Sequence, residues 1–353
     1  MKKNFSFILL LSVILVSGCN QDKEKLGTSC ELPKKYYKGW NTFYDNPNLN
    51  CGANTIIYAA PVLFQEVQAS QPGKRLEEMG RIHYESLAQE FEGTKESVET
   101  QDEIILGRDN TQIPIRFYAK GKKNILMYVH GGGWSRGNLR THDALCRKLS
   151  KELDCTVVAI EYRLAPENPY PAGLNDVEDL YQHLLKNNSH ERLILAGDSA
   201  GGNLSAALLV RLIESKKQLP KQLILIYPAL DLTVPEKSQS PIDSGYLLTR
   251  ESINNYVKNY TGGNMSMIKN PEVSPSLAND EILKHFPPTL LISAQYDPLT
   301  HQGELFNERL KTLGVPSEQK IIHRTIHIFA QFFGLFKEET NTLFAFLKEK
   351  VKF

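Results

Sequence analysis

Short apolar segments recur along the chain from about residue 99 onward and alternate with amphipathic segments of helical periodicity. The first two, DEIILGR and QIPIRFYA, mix apolar and polar positions, which favours antiparallel strands at an exposed edge. The next five are almost continuously apolar, as expected of parallel strands covered on both faces: NILMYVH, CTVVAIEY, RLILAG, QLILIYP and PTLLISA. With the last candidate, QKIIHR, this order predicts an α/β fold with a mostly parallel eight-stranded sheet flanked by helices.

Two regions lie outside this alternation. Residues 32–89 have a mainly helical pattern, and we assign residues 30–98 to an N-terminal helical cap region. Residues 229–287 form an interval far longer than the roughly two to six residues usual for a connection beside its crossover helix. We expect this interval to be a cap insertion within a catalytic domain spanning residues 99–353, with a surface decoration as the alternative.

The chain begins with a targeting pattern. Two lysines, a short apolar run and small residues precede a cysteine in MKKNFSFILLLSVILVSGCN, which predicts a signal peptide over residues 1–18. The end of this run resembles a bacterial lipobox, so we expect Cys19 to carry a lipid and residues 19–29 to form a tether. The alternative is an ordinary signal peptide with an incidental cysteine. The expected location is the bacterial cell envelope, facing the periplasm or on the outer membrane, to which Asn20 points by resemblance to the bacterial sorting rule.

Charge and cysteine content narrow the classes of partner. The 353 residues include 41 Lys and Arg against 40 Asp and Glu, so there is no basic field for nucleic acid. In an exported protein, four cysteines after the lipobox permit three pairings, of which the sequence-near pair Cys30–Cys51 is favoured. We expect Cys146 and Cys155 to be packed thiols. Neither CxxC nor HExxH spacing occurs, so we predict no metal site.

The segment AGDSAGG joins a predicted strand to a predicted helix and matches G-x-S-x-G around Ser199. A sharp strand-to-helix turn requires small neighbours and exposes the serine hydroxyl at the N-terminus of the helix, where the helix dipole favours negative charge. The alternative is an ordinary tight turn. Because this short pattern also occurs by chance, its meaning depends on the other motifs.

The segment HGGGW closes the strand NILMYVH with three consecutive glycines, which cost chain entropy. Bare backbone at this position allows N–H groups to approach an oxyanion closely, together with the N–H that follows the serine. A phosphate-binding loop is the alternative, but WSRGN lacks the Gly-Lys-Ser/Thr sequence that such a loop requires.

A serine nucleophile needs a histidine base that is oriented by a carboxylate, in the chain order Ser, Asp or Glu, His. Four histidines follow the serine, and His285 and His301 fit this order least well. His327 falls just past the last strand and is favoured over His323, which lies within it. For the acid, Asp297 directly follows PTLLISA and is favoured over Asp231, which follows QLILIYPAL one strand earlier.

Together, the motifs HGGGW, YRLAPENPYPAGLND, GDSAGGNLSAAL, PPTLLISAQYDPLTHQGE and HIF resemble the hormone-sensitive-lipase family of α/β-hydrolases, from about residue 128 to the C-terminus. This resemblance implies a triad of Ser199, Asp297 and His327. It also implies an oxyanion hole formed by N–H groups of the glycine loop and of the nucleophile turn, and a loop-orienting histidine. The oxyanion-hole residues are Gly132, Gly133 and Ala200, and the loop-orienting histidine is His130.

The chain departs from the family at two positions near the histidine, where Arg324 and Ile328 replace common glycines. The motifs together predict a serine carboxylesterase that works through an acyl-enzyme and needs no cofactor. The resemblance to the family implies short- to medium-chain acyl esters as its substrates. An amidase, lactonase or peptidase with the same triad, and a non-enzymatic envelope binding protein, are the alternatives. We expect a small-molecule ester substrate and a lipid-mediated membrane partner, whereas the oligomeric state does not follow from the sequence.

Overall fold

The computed structural model describes residues 48–233 and 246–353, which form an α/β architecture around one eight-stranded sheet. The strand order is β1-β2-β4-β3-β5-β6-β7-β8. The strands are β1 Thr100–Leu106, β2 Gln112–Tyr118, β3 Ile125–Val129, β4 Thr156–Ile160, β5 Leu193–Asp198, β6 Gln222–Ile226, β7 Thr289–Tyr296 and β8 Ser317–Ile326. Each corresponds to a strand predicted from the sequence, and the predicted fold class is confirmed.

The pairing of the strands follows their apolar patterns. β1 pairs antiparallel with β2, which in turn pairs antiparallel with β4, and every other pair in the sheet is parallel. All residues of β3, β4, β5 and β6 are buried, whereas in β1 Ile105 alone is buried and the other residues are partly or fully exposed. The continuous apolar runs are therefore the central strands, because helices cover both of their faces.

Helices lie before β1, between most of the later strands and after β8. They are α1 Cys51–Ser70, α2 Leu76–Phe91, α3 Asp143–Glu152, α4 Ala172–Leu185, α5 Ala200–Glu214, α6 Arg250–Tyr260, α7 Asp280–Leu283, α8 Thr300–Thr312 and α9 Lys337–Lys350. Successive residues of a strand serve opposite cores: Met127 of β3 packs on the side of α4, α5 and α8, and Tyr128 packs on the side of α1, α2, α3 and α9. The sheet thus separates two apolar layers, as its two-residue period requires.

The long interval between β6 and β7 contains α6, α7 and short 3-10 turns. Arg211 of α5 holds this segment to the body, since its Nη2 lies 2.6 Å from Oε2 of Glu272. Asn203 of α5 adds two hydrogen bonds from its amide to the carbonyl oxygens of Ala229 and Val273. The segment is therefore tied directly to the helix that follows the nucleophile turn.

Cys51, at the start of α1, is disulfide-bonded, whereas Cys146 and Cys155 are buried free thiols. The predicted partner of Cys51, Cys30, lies outside the described residues. The same holds for the lipidation candidate Cys19 and for the signal peptide, so these remain predictions. Within residues 48–233 and 246–353, no helix has both the length and the apolar character needed to cross a membrane.

Glu178 of α4 is the buried centre of an ion cluster whose basic side chains are partly exposed. Its carboxylate lies 2.6 Å from Nζ of Lys217, 2.7 Å from Nη2 of Arg108 and 3.2 Å from Nη1 of Arg211. Burial alone would raise the pKa of Glu178, but the hydrogen bonds from Lys217 and Arg108 outweigh this effect and lower it to about 2. The cluster therefore stabilises the fold only while this carboxylate is ionised.

We expect Glu178→Gln to lower the free energy of unfolding by about 2 kcal/mol at neutral pH, because the basic side chains lose their buried partner. The folded-state pKa lies below the ordinary value of 4.5, so the contribution is fully present above pH 4.5 and is lost as the pH falls towards about 2. Urea unfolding of wild type and variant at pH 7 and pH 3.5 measures both effects. The exposed Glu191→Gln is the control, and an equal stability gap at both pH values would contradict the prediction.

Candidate active site

Ser199 occupies the turn between β5 and α5 with φ 52° and ψ −119°. Positive φ is unusual for a residue with a side chain, and here two backbone hydrogen bonds hold it: Ser199 N–H to Ile226 O at 2.9 Å and Asn203 N–H to Ser199 O at 3.0 Å. The flanking glycines are required by space. A Cβ on Gly201 would collide with the carbonyl oxygen of Val129, and one on Gly197 would lie 2.5 Å from the backbone of Gly201.

Three predicted side chains meet at the carboxyl edge of the sheet. His327 follows β8, and its Nε2 lies 2.8 Å from Oγ of Ser199. Its Nδ1 lies 2.6 Å from Oδ2 of Asp297, which follows β7. The other oxygen of Asp297 accepts the N–H of Leu299 at 2.9 Å. With Nδ1–H donating to the carboxylate, the bare Nε2 is positioned to accept the hydroxyl proton of the serine.

The other candidate histidines lie apart from this group. His285 and His323 are exposed, the latter on β8. The side chain of His301 is 78% exposed and its Nδ1 lies 3.2 Å from Oε2 of Glu304. None of these three rings is hydrogen-bonded to the serine, whereas His327 is.

The rival acid, Asp231, has a local structural role. Its Oδ1 accepts hydrogen bonds from the N–H of Thr233 at 2.8 Å and from the hydroxyl of the same residue at 2.6 Å. These bonds fix the turn that follows Leu230, which is the alternative function that a loop aspartate commonly has.

The glycine loop follows β3 and lies beside the serine turn. Gly132 and Gly133 have φ of 119° and 60°, and a Cβ on Gly133 would lie 2.5 Å from the ring of Tyr256 in α6. Within residues 48–233 and 246–353, the N–H groups of Gly132, Gly133 and Ala200 donate no hydrogen bond. Free N–H groups beside an activated hydroxyl form an arrangement that can stabilise a tetrahedral oxyanion.

Asp198, which the sequence reasoning did not select, holds the glycine loop against the serine turn. Its buried Oδ1 accepts hydrogen bonds from Tyr128 Oη at 2.7 Å and from the N–H of Gly131 at 2.8 Å. Burial alone would raise the pKa of Asp198, but His142, 3.4 Å away, and these hydrogen bonds lower it instead. The sequence motif did not identify Asp198, because G-x-S-x-G allows any residue at its position.

His130 lies within the glycine loop as a neutral ring. Its Nδ1 lies 2.8 Å from the carbonyl oxygen of Gly131, and the ring stacks on Tyr162 with centroids 4.3 Å apart. Burial, followed by the charge of His142, lowers the pKa of His130 to about 3. The hydroxyl of Tyr162 donates to His130 O at 2.9 Å, so this pair braces the start of the loop.

The two departures from the family pattern have a structural counterpart. Arg324 and Ile328, which stand where glycines are common, have φ of 61° and 72°. Arg324 is held by hydrogen bonds from its N–H to Gln295 Oε1 at 2.8 Å and from its Nη2 to Leu49 O at 2.9 Å. Backbone strain thus flanks His327 on both sides, and at Arg324 these hydrogen bonds offset it.

Among the residues that the structure describes, no group of three or more His, Cys, Asp or Glu side chains is arranged to hold a metal ion. The chemistry that the site offers is a serine hydroxyl paired with a histidine, next to a loop and a helix start whose backbone N–H groups donate no hydrogen bond to the described residues.

Comparison with known proteins places this geometry in context. A family model described as alpha/beta hydrolase fold matches residues 126–331. A carboxylic ester hydrolase of Mycobacterium tuberculosis is 33% identical over 269 residues, which cover 72% of this chain and 70% of that protein. An arylesterase of Saccharolobus solfataricus is 32% identical over 263 residues, covering 72% and 84%. The solved structure of a Pyrobaculum calidifontis esterase is 30% identical with a TM-score of 0.69, covering 82% of this chain and 98% of that one.

We expect Gly133→Ala to slow modification of Ser199 by diisopropyl fluorophosphate about 100-fold, because the new methyl group displaces either the loop or Tyr256. The modification rate and the melting temperature are measured together. Gly121→Ala is the matched control, since Gly121 also has positive φ but no atom within 4 Å of an added Cβ. Equal rates for the two variants would mean that the glycine loop does not contribute to the reactivity of the serine.

Proposed function

This chain belongs to the alpha/beta hydrolase fold family, as its motifs predicted, and we propose that it is a serine carboxylic-ester hydrolase in which Ser199, His327 and Asp297 form the triad. The observation that carries the proposal is the pair of hydrogen bonds of His327, one to the serine at 2.8 Å and one to the carboxylate at 2.6 Å. The ester hydrolases among its relatives support the same reaction class.

In the proposed reaction, His327 Nε2 takes the hydroxyl proton while Ser199 Oγ attacks the ester carbonyl carbon. Asp297 stabilises the imidazolium that forms. The carbonyl oxygen becomes an oxyanion that the N–H groups of Gly132, Gly133 and Ala200 stabilise, each donor contributing roughly 3–4 kcal/mol in comparable sites.

Collapse of the tetrahedral intermediate breaks the bond to the leaving alcohol, which receives the proton from His327. The acyl-enzyme on Ser199 is then attacked by water that gives its proton to the same histidine. A second tetrahedral intermediate releases the carboxylic acid and restores the serine hydroxyl.

We further propose that the N-terminal helices and residues 229–287 form a cap over this site. The contact of Tyr256 in α6 with Gly133 supports the role of residues 229–287 in this cap. The hydrogen bonds of Arg81 in α2 support the role of the N-terminal helices: its Nε donates to Ser135 O at 2.9 Å and its Nη2 to Ala165 O at 3.1 Å. A cap of this kind would line the acyl and alcohol pockets and limit acyl chains to short or medium length.

The first experiment is hydrolysis of p-nitrophenyl esters with acyl chains from two to sixteen carbons by the full-length chain and its Ser199→Ala variant. We expect the highest kcat/KM at short to medium chains and a loss of about 10⁴-fold or more in the variant, because the nucleophile is absent. Thermal melting establishes that both proteins are folded. Hydrolysis of amides but of no ester by a folded wild type would replace this proposal with an amidase.

The location of the enzyme is a separate proposal, that Cys19 is lipid-modified and anchors the chain to the bacterial cell envelope. It rests on the lipobox-like VSGC segment. Expression in a Gram-negative host with an alkyne-tagged fatty acid should label the wild type and Cys30→Ser, and should not label Cys19→Ala. Label retained in Cys19→Ala, or absent from the wild type, would contradict the anchor without affecting the assignment of the esterase.

A further inference from the structure

Arg136, beside the glycine loop, carries a positive charge that no carboxylate of the described residues neutralises. It follows Gly133 in the segment GGGWSRG and is half-buried. Within residues 48–233 and 246–353, no carboxylate forms an ion pair with its guanidinium, and its side chain donates no hydrogen bond; the guanidinium lies over an aromatic ring. A guanidinium has five N–H donors, so its ability to bind an anion is unused.

The guanidinium lies where three parts of the chain meet. A Cβ on Gly80 of α2 would lie 2.7 Å from Nη2 of Arg136, so the charge rests on the bare backbone of that helix. On the other side, its Cζ lies 5.3 Å from the ring centroid of Tyr256. The same ring covers Gly133. The ring of Tyr256 therefore contacts both the guanidinium of Arg136 and Gly133, whose N–H group is a proposed oxyanion donor.

Neighbouring basic groups are already neutral or paired. Arg81 lies 2.5 Å from Oε2 of Glu167, and Arg140 lies 2.9 Å from Oε1 of Glu85. Burial, opposed by a hydrogen bond to a backbone carbonyl, lowers the pKa of His83 to about 4, so that ring is uncharged at neutral pH. Compared with these three described side chains, Arg136 is the one whose charge is left available to an incoming anion.

Building on the esterase function proposed above, we infer that Arg136 recognises a carboxylate carried by the ester substrate. The planar fork of a guanidinium matches a carboxylate in two parallel hydrogen bonds, and partial burial strengthens this interaction relative to water. A single cation suits a single negative charge. The substrate class would be either half-esters of dicarboxylic acids, with the carboxylate on the acyl side, or esters of carboxylate-bearing alcohols and phenols.

The test compares each anionic ester with its uncharged methyl ester, using the full-length protein. Mono-(4-nitrophenyl) glutarate and methyl 4-nitrophenyl glutarate probe the acyl side, and 4-acetoxybenzoate and methyl 4-acetoxybenzoate probe the alcohol side. The readout is the ratio of kcat/KM for the anionic ester to that for its methyl ester. This ratio cancels any change in the catalytic machinery that both esters share.

In at least one pair, we expect Arg136→Gln to lower this ratio by about 10- to 100-fold, the range for a lost charge-assisted hydrogen bond. Arg136→Lys keeps the charge but not the fork, so its ratio should fall between those of wild type and Arg136→Gln. The matched control is Arg140→Gln, which removes a largely exposed arginine on the same loop and should leave the ratio unchanged. The wild-type ratio should also fall as the salt concentration rises.

The pair that responds identifies the side of the ester that carries the carboxylate. An unchanged ratio in Arg136→Gln for both pairs would overturn the inference. If kcat/KM also falls equally for both members of each pair, Arg136 instead holds Tyr256 in place. If Arg136→Gln does not fold, an unchanged ratio in Arg136→Lys together with a salt-independent wild-type ratio overturns it. Absence of Ser199-dependent hydrolysis of every ester would instead reject the proposed esterase function, and the inference with it.

Discussion

The carboxylate of Asp198 accepts the N–H of Gly131 and the hydroxyl of Tyr128, and through these bonds it joins the nucleophile turn to the glycine loop. The strands that lead into the two segments, β3 and β5, are parallel neighbours in the sheet. Their loops therefore leave the sheet side by side, and the hydrogen bonds of Asp198 hold the glycine loop against the serine turn. Because an ion buried without partners is costly, the carboxylate in turn requires both loops in place.

The remaining parts of the site follow from the parallel sheet, which brings the carboxyl ends of β5, β7 and β8 to one edge. The serine turn is bound to the next strand by the hydrogen bond from Ser199 N–H to Ile226 O. Positive φ at Ser199, Arg324 and Ile328 places backbone strain in the segments that present the nucleophile and the base. Two-sided burial of the central strands supports this strain, since a rigid core leaves these segments few alternative conformations.

Much of this arrangement could be predicted because its causes are local. Continuous apolar runs identified the central strands, and the glycines around Ser199 and at HGGGW marked places where backbone must approach closely. Helix α5 begins at Ala200, directly after the serine, although its first turn contains two glycines of low helical propensity, which packing holds in the helix. The roles of Asp198 and Arg136 arise from contacts between distant segments, which no periodicity in the chain records.

The contact between Gly133 and Tyr256 divides the site into a fixed part and a variable part. A smaller residue at position 256 would make room beside the loop, but φ of 60° would still favour glycine at position 133. Substitutions, whether they arise in evolution or in a laboratory library, are therefore tolerated more readily in α6 at position 256 than in the loop at position 133. New substrate ranges would arise by exchanging the aromatic ring, while the backbone that performs the chemistry is inherited unchanged.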